Sequence, residues 1–450
     1  MAAIHGNGPL PSSKWLSFDG WDYNGMKERL EDAVRTINKA SLIDHAVHVT
    51  GQRMRMSEPF SAGQYWICFE LVAEDGSLVI ARVRLPRHPE APPTVTEQDM
   101  AYATDCEIAT TRYVRSKLTT ITIPRVHAYE PADSPRAKEV GATYMLIEGF
   151  RGNSLLDVEY DMTHLAPPVQ EQITTQWTRV QAELATLALP QIGSISSLSP
   201  TEEPVIGRIA SAAGEGFQDA GPFNRSVDYF AAAGQAAVAR QKAAAVSADG
   251  QGQGLPFAAI GALVFCDIVS RTALFQDMGV KGSFPLNHMD LGTQNIIVDD
   301  EFRVLAAIDW EFAQTAPWQV NHYPMPFPPL GSQRRTESIL ADPSHIAHKN
   351  VMRHESARKM YRAGFRMAEE ELREQGRPIP ESLARVLDCT ASRIYACFTK
   401  LGRILDEDEE LVQRMVRMAF GWDDAKTKSY IADMEAVLWT PASSEATFSG

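Results

Sequence analysis

Four polar side chains stand close together in the stretch FPLNHMDLGTQNIIVDDEFRVLAAIDWEFA, residues 284–313: His288, Asp290, Asn295 and Asp309. Their types suit metal and phosphate chemistry. One carboxylate with one amide oxygen is a common protein share of an Mg²⁺ site, whose other ligands are waters and nucleotide phosphates. That points to Asn295 and Asp309 as metal ligands. A second carboxylate five residues before the Asn can accept a proton from an attacking hydroxyl, which points to Asp290 as the base. His288 either braces this loop or takes a direct part, and bracing is the simpler reading. Glu311 either approaches the metal or stays outside the site.

These groups must be positioned by their flanks. NIIV (295–298) and FRVLAAID (302–309) are β-like runs on either side of Asp299, Asp300 and Glu301. They read as a β-hairpin, with Asp299 and Asp300 as turn residues. With the loop centred near Asp300 and Glu301, Asn295 faces a residue near Ala306–Asp309. Cross-strand neighbours lie about 5 Å apart. Asn295 and Asp309 then project from the open end that also receives His288 and Asp290. The spacing His-x-Asp-Leu-x-x-x-Asn matches the kinase catalytic loop, followed by an Asp in the metal position. Four such positions match by chance with a probability on the order of a few per thousand in a chain this long.

A phosphate site also needs a lid, a basic strand residue and a helix acid. SAGQYW, with its single glycine Gly63, is either a phosphate-covering loop or a plain hairpin turn. In ARVR, Arg82 and Arg84 share one strand face, since strand side chains alternate. Glu107 falls on a predicted helix, where it either reaches one of those arginines or pairs locally with Arg112. YMLIEGF reads as a strand whose end, around Ile147, Glu148 and Gly149, offers backbone groups to an adenine.

The chain has 450 residues, enough for two lobes. Its net charge of −14 disfavours nucleic acid and anionic membrane surfaces as partners. Five scattered Cys include no C-x-x-C pair, so free thiols in a reducing compartment are expected. The N-terminus lacks a signal-peptide pattern and no run of about 18 apolar residues occurs, so the expected location is cytoplasmic.

The organisation expected is a flexible tail at 1–13, a strand-rich lobe at 14–148 and a helix-rich lobe at 149–450. The second lobe would hold a catalytic loop (286–295), a metal-binding hairpin (295–309) and the substrate pocket. A helix is expected from Tyr23 to about His45, strands from YWICFELV and LVIARVRLP joined by a turn at Asp75-Gly76, and a helix over 97–117. TIPRVHAYE and ATYMLIEGF read as two further strands. Residues 191–224 and 246–256 read as surface insertions.

Taken in order, these segments resemble the aminoglycoside phosphotransferase-like family, most closely a large branch in filamentous fungi. The resemblance spans most of residues 50–320 and is most specific in residues 284–318. It implies an α+β, protein-kinase-like bilobal fold that binds ATP and Mg²⁺. It further implies Asp290 as catalytic base, with Asn295 and Asp309 as metal ligands. The phosphate-binding residue would be Arg82 or Arg84, paired with Glu107, and Arg82 fits that branch slightly better. An Arg fork binds phosphate with a geometry different from that of Lys. Trp310-Glu311 follows the metal Asp where kinases carry Phe-Gly, and no activation segment follows. Protein substrates are therefore disfavoured.

The activity expected is transfer of the ATP γ-phosphate to a hydroxyl of a small-molecule acceptor. The alternatives are a nucleotide- or metabolite-binding pseudokinase, and an ATP-using biosynthetic enzyme whose final product carries no phosphate. The acceptor and the oligomeric state are not legible in the sequence.

Overall fold

The computed structural model describes residues 8–14, 26–87, 95–159, 161–211, 217, 219–247, 257–280, 282–324, 333–403 and 407–439. The chain forms two compact units. The first comprises Met1–Leu184, Ile195–Val205 and His288–Ala313, and the second comprises Ala185–Ser194, Ile206–Asn287 and Gln314–Gly450. The hairpin thus clusters with the N-terminal sheet. The expected α+β class is borne out, with a strand-rich first part and a helix-rich remainder.

The first unit opens with two helices, α1 (Met26–Thr36) and α2 (Lys39–Thr50), where one was expected. The break comes at Asn38. Its backbone is extended, and its side chain accepts the Ser41 N–H as an N-cap. Next come β1 (Met54–Ala62), β2 (Trp66–Ala73), β3 (Leu78–Arg84), α3 (Glu97–Lys117), β4 (Val126–Glu130), α4 (Pro135–Val140), β5 (Tyr144–Glu148) and β6 (Asn153–Ser154). α4 lies in a stretch read from sequence only as a polar connection. Ser134 caps it and Pro135 opens it, two start signals that outweigh its short length.

The five-stranded antiparallel sheet runs β1-β2-β3-β5-β4. The Asp75-Gly76 turn joins β2 to β3, with Gly76 at φ +83° and Asp75 accepting the Ser77 N–H at 2.8 Å. Strand alternation gives the sheet two faces. Ile67, Phe69, Leu71, Val79, Ala81 and Val83 pack with Met26, Leu30, Leu42 and Ala46 of the two helices into one apolar core. The alternate residues, among them Trp66, Cys68, Arg82 and Arg84, face away from it.

α3 begins at a capping box between Thr96 and Asp99. A further helix, Pro167–Ala185, backs the hairpin. Gln172 Nε2 donates to the Glu301 carbonyl at 2.9 Å and Gln176 Nε2 to that of Phe302 at 3.1 Å. Gln176 Oε1 accepts the Val304 N–H at 2.8 Å, and the Trp177 indole N–H donates to the Leu291 carbonyl at 3.1 Å. The i, i+4 spacing keeps Gln172 and Gln176 on one helix face, with Trp177 one position on.

Within 191–224, Ile192, Ser194, Ile195, Ile209 and Phe217 are buried. The strand Ile195–Leu198 packs against α3 within the first unit. This corrects the surface-insertion expectation: scattered apolar residues are buried despite a Gly- and Ser-rich composition. Of 246–256, residues 248–256 lie outside the described residues.

In the second unit, the helix Phe257–Arg271 is apolar on nearly every side and packs among the helices Ser226–Ser247, Asp408–Phe420 and Asp424–Trp439. Phe230, Phe265, Phe275 and Tyr395 meet at ring distances of 4.6–6.4 Å. No helix among the described residues is long and apolar enough to cross a membrane.

Candidate functional site

The hairpin forms as strands Ile296–Val298 and Val304–Ala307, paired Ile296 to Ala307 and Ile297 to Ala306. Beyond the paired strands, the Ile308 N–H donates to the Asn295 carbonyl at 3.0 Å. Asn295 therefore faces Ile308, and Asp309 follows at the open end. At the closed end Asp299 accepts the N–H groups of Glu301 and Arg303 at 2.9 Å each, which with the Arg303 side chain holds its carboxyl below the ordinary range.

Asp290 and Asn295 are brought into direct contact. Asn295 Nδ2 donates to the Asp290 carbonyl at 2.8 Å and to its carboxylate Oδ2 at 3.0 Å, and Gln294 donates to Oδ1 at 3.1 Å. Asp290 is exposed, whereas Asn295 is buried. With its nitrogen committed, Asn295 has its amide oxygen left to offer a ligand.

His288 lies beneath. Its Nε2 donates to the Ile308 carbonyl at 2.9 Å, and its ring meets Trp310 at 4.5 Å between centroids. Burial holds its pKa down to about 4, so the ring is neutral at ordinary pH. The contact ties the loop to the residue before Asp309 and provides the brace. Met289 and Asp309 both have positive φ, +65° and +64°. Such conformations cost of order 1–3 kcal/mol in non-glycine residues and persist where the surroundings impose them. Here Asn295 and His288 hold both main-chain groups of Ile308.

On the sheet, Arg82 contacts Glu107 of α3 through one terminal nitrogen and donates to Asp309 through the other at 3.0 Å. Arg84 instead donates to Glu311 at 3.0 Å. The structure thus separates the two arginines: Arg82 joins helix acid to hairpin, and Arg84 anchors the residue two beyond. Glu311 is 3% exposed, so it is a buried ion-pair partner rather than a surface group.

Trp66 completes the cluster. Its indole N–H is 3.4 Å from Glu311 Oε2, and both guanidinium carbons lie 4.8 Å from its ring centroid. Tyr65 stacks on Arg84 at 5.0 Å. Neither aromatic was singled out in the sequence. The available signal is the place of Trp66 opposite Arg84 at the start of β2, with Tyr65 just before it.

One oxygen each of Glu107, Asp309 and Glu311 lies within 4.8 Å of the others. Three carboxylates against two guanidinium groups leave a formal charge of −1 when all are ionised. Burial pushes the Glu107 carboxyl upward against the pull of Arg82, and the three carboxylates hold Arg82 firmly cationic despite burial. Cys68, opposite Arg82, is pushed up to about 11 by burial and stays a thiol. Glu107 Oε2 is buried with no hydrogen-bond partner among the described residues. A lone buried carboxylate oxygen beside two further carboxylates is a hard, oxygen-rich donor set, which fits Mg²⁺ or a similar cation.

Gly63, Ile147 and Glu148 are held by contacts of their own. Gly63 sits exposed in the three-residue turn between β1 and β2, with its N–H donated to the Trp66 carbonyl at 2.9 Å. Ile147 lies on β5 opposite Ile80. Glu148 accepts from Arg115 and from the Arg125 N–H, both at 3.0 Å. Its own N–H donates to the Arg125 carbonyl and that of Gly149 to the Leu78 carbonyl, both at 2.8 Å. These two amides, expected to face a base, are engaged within the protein.

No family model matches the chain, and no curated relative matches it. Several solved structures are similar to it. The macrolide 2'-phosphotransferase MphH from Brachybacterium faecium, as apoenzyme, is 17% identical with a TM-score of 0.39, over 88% of this chain and 96% of that one. A candidate fructosamine-3-kinase from Thermobifida fusca is 13% identical with a TM-score of 0.44, over 85% and 99%. The amicoumacin kinase hAmiN, in complex with AMP-PNP, Ca²⁺ and Ami, is 10% identical with a TM-score of 0.39, over 90% and 94%.

Proposed function

We propose that the chain is an ATP-dependent phosphotransferase acting on a hydroxyl of a small molecule. The observation that carries this reading is the Arg82 bridge. One guanidinium joins a buried helix acid to the Asp that follows the hairpin, and through Ile308 and Asn295 that hairpin is joined to Asp290.

Asp290 accepts the acceptor hydroxyl's proton as its oxygen bonds to the γ-phosphorus. The bond from that phosphorus to the β–γ bridging oxygen breaks, and ADP leaves. Asn295 fixes one carboxylate oxygen, and Asp290, as an exposed residue, can meet the hydroxyl. Arg82 offers a cationic fork to phosphate oxygens, and the two donated contacts fix its plane. Asn295 and Asp309 would hold Mg²⁺, with Glu107 and Glu311 beside them, and the ion would offset phosphate charge. Catalysis on this reading is mostly positioning and electrostatics. Five free thiols support a reducing, cytoplasmic setting.

A pseudokinase reading is favoured by one observation. The turn at Gly63 is short, and its N–H is already bonded, so few backbone donors are offered to phosphates there. A transfer assay separates the two. Wild type incubated with Mg-ATP and a panel of hydroxylated metabolites should yield a phosphorylated product. Asp290→Asn should lose that product by about 10² or more while still binding nucleotide. Full turnover in Asp290→Asn excludes the base role, and binding without product across the panel favours the pseudokinase.

A further inference from the structure

The sheet face that carries Arg82 and Arg84 has a second occupant. β2 and β3 pair without a slip: Trp66 faces Arg84, Cys68 faces Arg82 and Glu70 faces Ile80. Ile80 also faces Ile147 on β5. The row Glu70, Ile80, Ile147 therefore lies one side-chain repeat, about 7 Å, from the Arg82 row on the same face.

Glu70 is a carboxylate only 2% exposed. Both its oxygens accept from one residue near the N-terminus. The Ser12 hydroxyl donates to Oε1 at 2.6 Å and the Ser12 N–H to Oε2 at 3.1 Å. Ser12 belongs to a short 3-10 turn, Pro11–Lys14. The same segment is tied to the chain beyond β5. The Pro11 carbonyl accepts from Asn153 Nδ2 at 2.7 Å, and the Gly8 carbonyl from Arg151 at 3.4 Å. Gly8 runs so close that a Cβ there would meet the Arg151 carbonyl oxygen at 2.9 Å. Residues 8–13, read from sequence as a flexible tail, instead cross from β2 to the segment after β5.

We propose that Gly8–Lys14 is an autoinhibitory strap over the base end of the nucleotide site, and that a base binds only when it lifts. This rests on the reading of Arg82 and Asp309 as the phosphate end. From Arg82 the face can be followed two ways. Toward the β1–β2 turn it is filled by the Trp66 indole and the Arg84–Glu311 pair. Toward Ile80 and Ile147 it offers an apolar floor suited to a flat ring, with Glu70 in the same row and Asn153 on the chain beyond β5. The strap uses both of those groups. Nucleotide and strap then compete, and the apparent dissociation constant exceeds the intrinsic one by the inverse of the open fraction.

The test compares the wild-type chain, Ser12→Ala and a form lacking residues 2–14 in calorimetric titrations with Mg-AMP-PNP. Hydrogen exchange of wild type with and without the nucleotide accompanies it. Ser12→Ala should lower the apparent dissociation constant about ten-fold, and the deletion at least as much. Amides of residues 8–14 in wild type should lose protection at saturation. Equal constants for wild type and Ser12→Ala, with residues 8–14 still protected in the saturated complex, overturn the strap and leave the nucleotide site standing. Absence of binding by every form overturns the nucleotide reading and the strap with it.

Discussion

Asn295 Nδ2 reaches the carbonyl of Asp290 at 2.8 Å and its carboxylate at 3.0 Å, so one amide group sets both the backbone and the side chain of the proposed base. The five-residue spacing between them is the length of loop that lets this contact close.

Replacing Asn295 tests that arrangement. Asn295→Ala removes the donor and the amide oxygen together, and phosphate transfer should fall by about 10² or more. Nucleotide binding in EDTA should change little, because Arg82 is untouched. A variant with unaltered transfer would remove Asn295 from the account.

The two arginines should separate cleanly. Arg82→Ala leaves Glu107 buried without its cation, and breaking a buried pair costs about 3–5 kcal/mol. Arg82→Lys keeps the charge but loses the fork, so the fold should survive while nucleotide affinity drops about ten-fold. Arg84→Lys should leave affinity within about two-fold, since Arg84 pairs with Glu311 and not with Asp309. Denaturant melts and calorimetry on both lysine variants check this, and equal affinity losses would contradict the assignment.

Trp66 supports both guanidinium groups and reaches Glu311. Trp66→Phe keeps a ring face but loses the N–H, so stability should fall by about 1 kcal/mol. Trp66→Leu also loses the stacking and should weaken nucleotide binding several-fold. Binding unchanged in Trp66→Leu would show that the indole only fills space.

His288 gives the fold a pH dependence of known sign. Its pKa is held down to about 4 by burial, against about 6.5 unfolded. The unfolded chain therefore takes the proton first. The stability that depends on a neutral ring is complete above about pH 6.5 and is lost as pH falls toward 4. At pH 5 the loss is on the order of 2 kcal/mol. His288→Gln keeps an N–H for Ile308 and removes the titration. The stability gap between wild type and variant in urea melts should therefore narrow by that amount from pH 7 to pH 5. A gap that stays constant would contradict a buried neutral ring.

Much of the fold was legible because its signals are local. The capping box before α3, the Asp75-Gly76 turn and the alternation in β2 and β3 each lie within a few residues. The spacing from His288 to Asn295 is equally local. What stayed hidden depends on partners distant in sequence. Arg82 and Arg84 are indistinguishable by strand parity, and they are told apart by Glu107, 25 residues from Arg82, and by Asp309 and Glu311, 227 residues away in each case. Trp66 reads as an ordinary strand aromatic until Glu311 is placed beside it. The positive φ of Met289 and Asp309 is imposed by tertiary contacts, since neither Met nor Asp demands it. The Gly-, Pro- and Ser-rich start reads as loose because its anchors, Glu70 and Asn153, lie 58 and 142 residues on.

Arg82 and Asp309 are the core of the proposed site for nucleotide and divalent metal. Calorimetric titration of the full chain with ATP, with and without Mg²⁺, tests it most directly when Asp309→Asn is run alongside. Wild type should bind one equivalent of ATP in a manner strengthened by Mg²⁺, and Asp309→Asn should lose that Mg²⁺-dependent gain, by about ten-fold or more. Wild type that binds no ATP, or an Asp309→Asn variant that keeps the full Mg²⁺ effect, would contradict it.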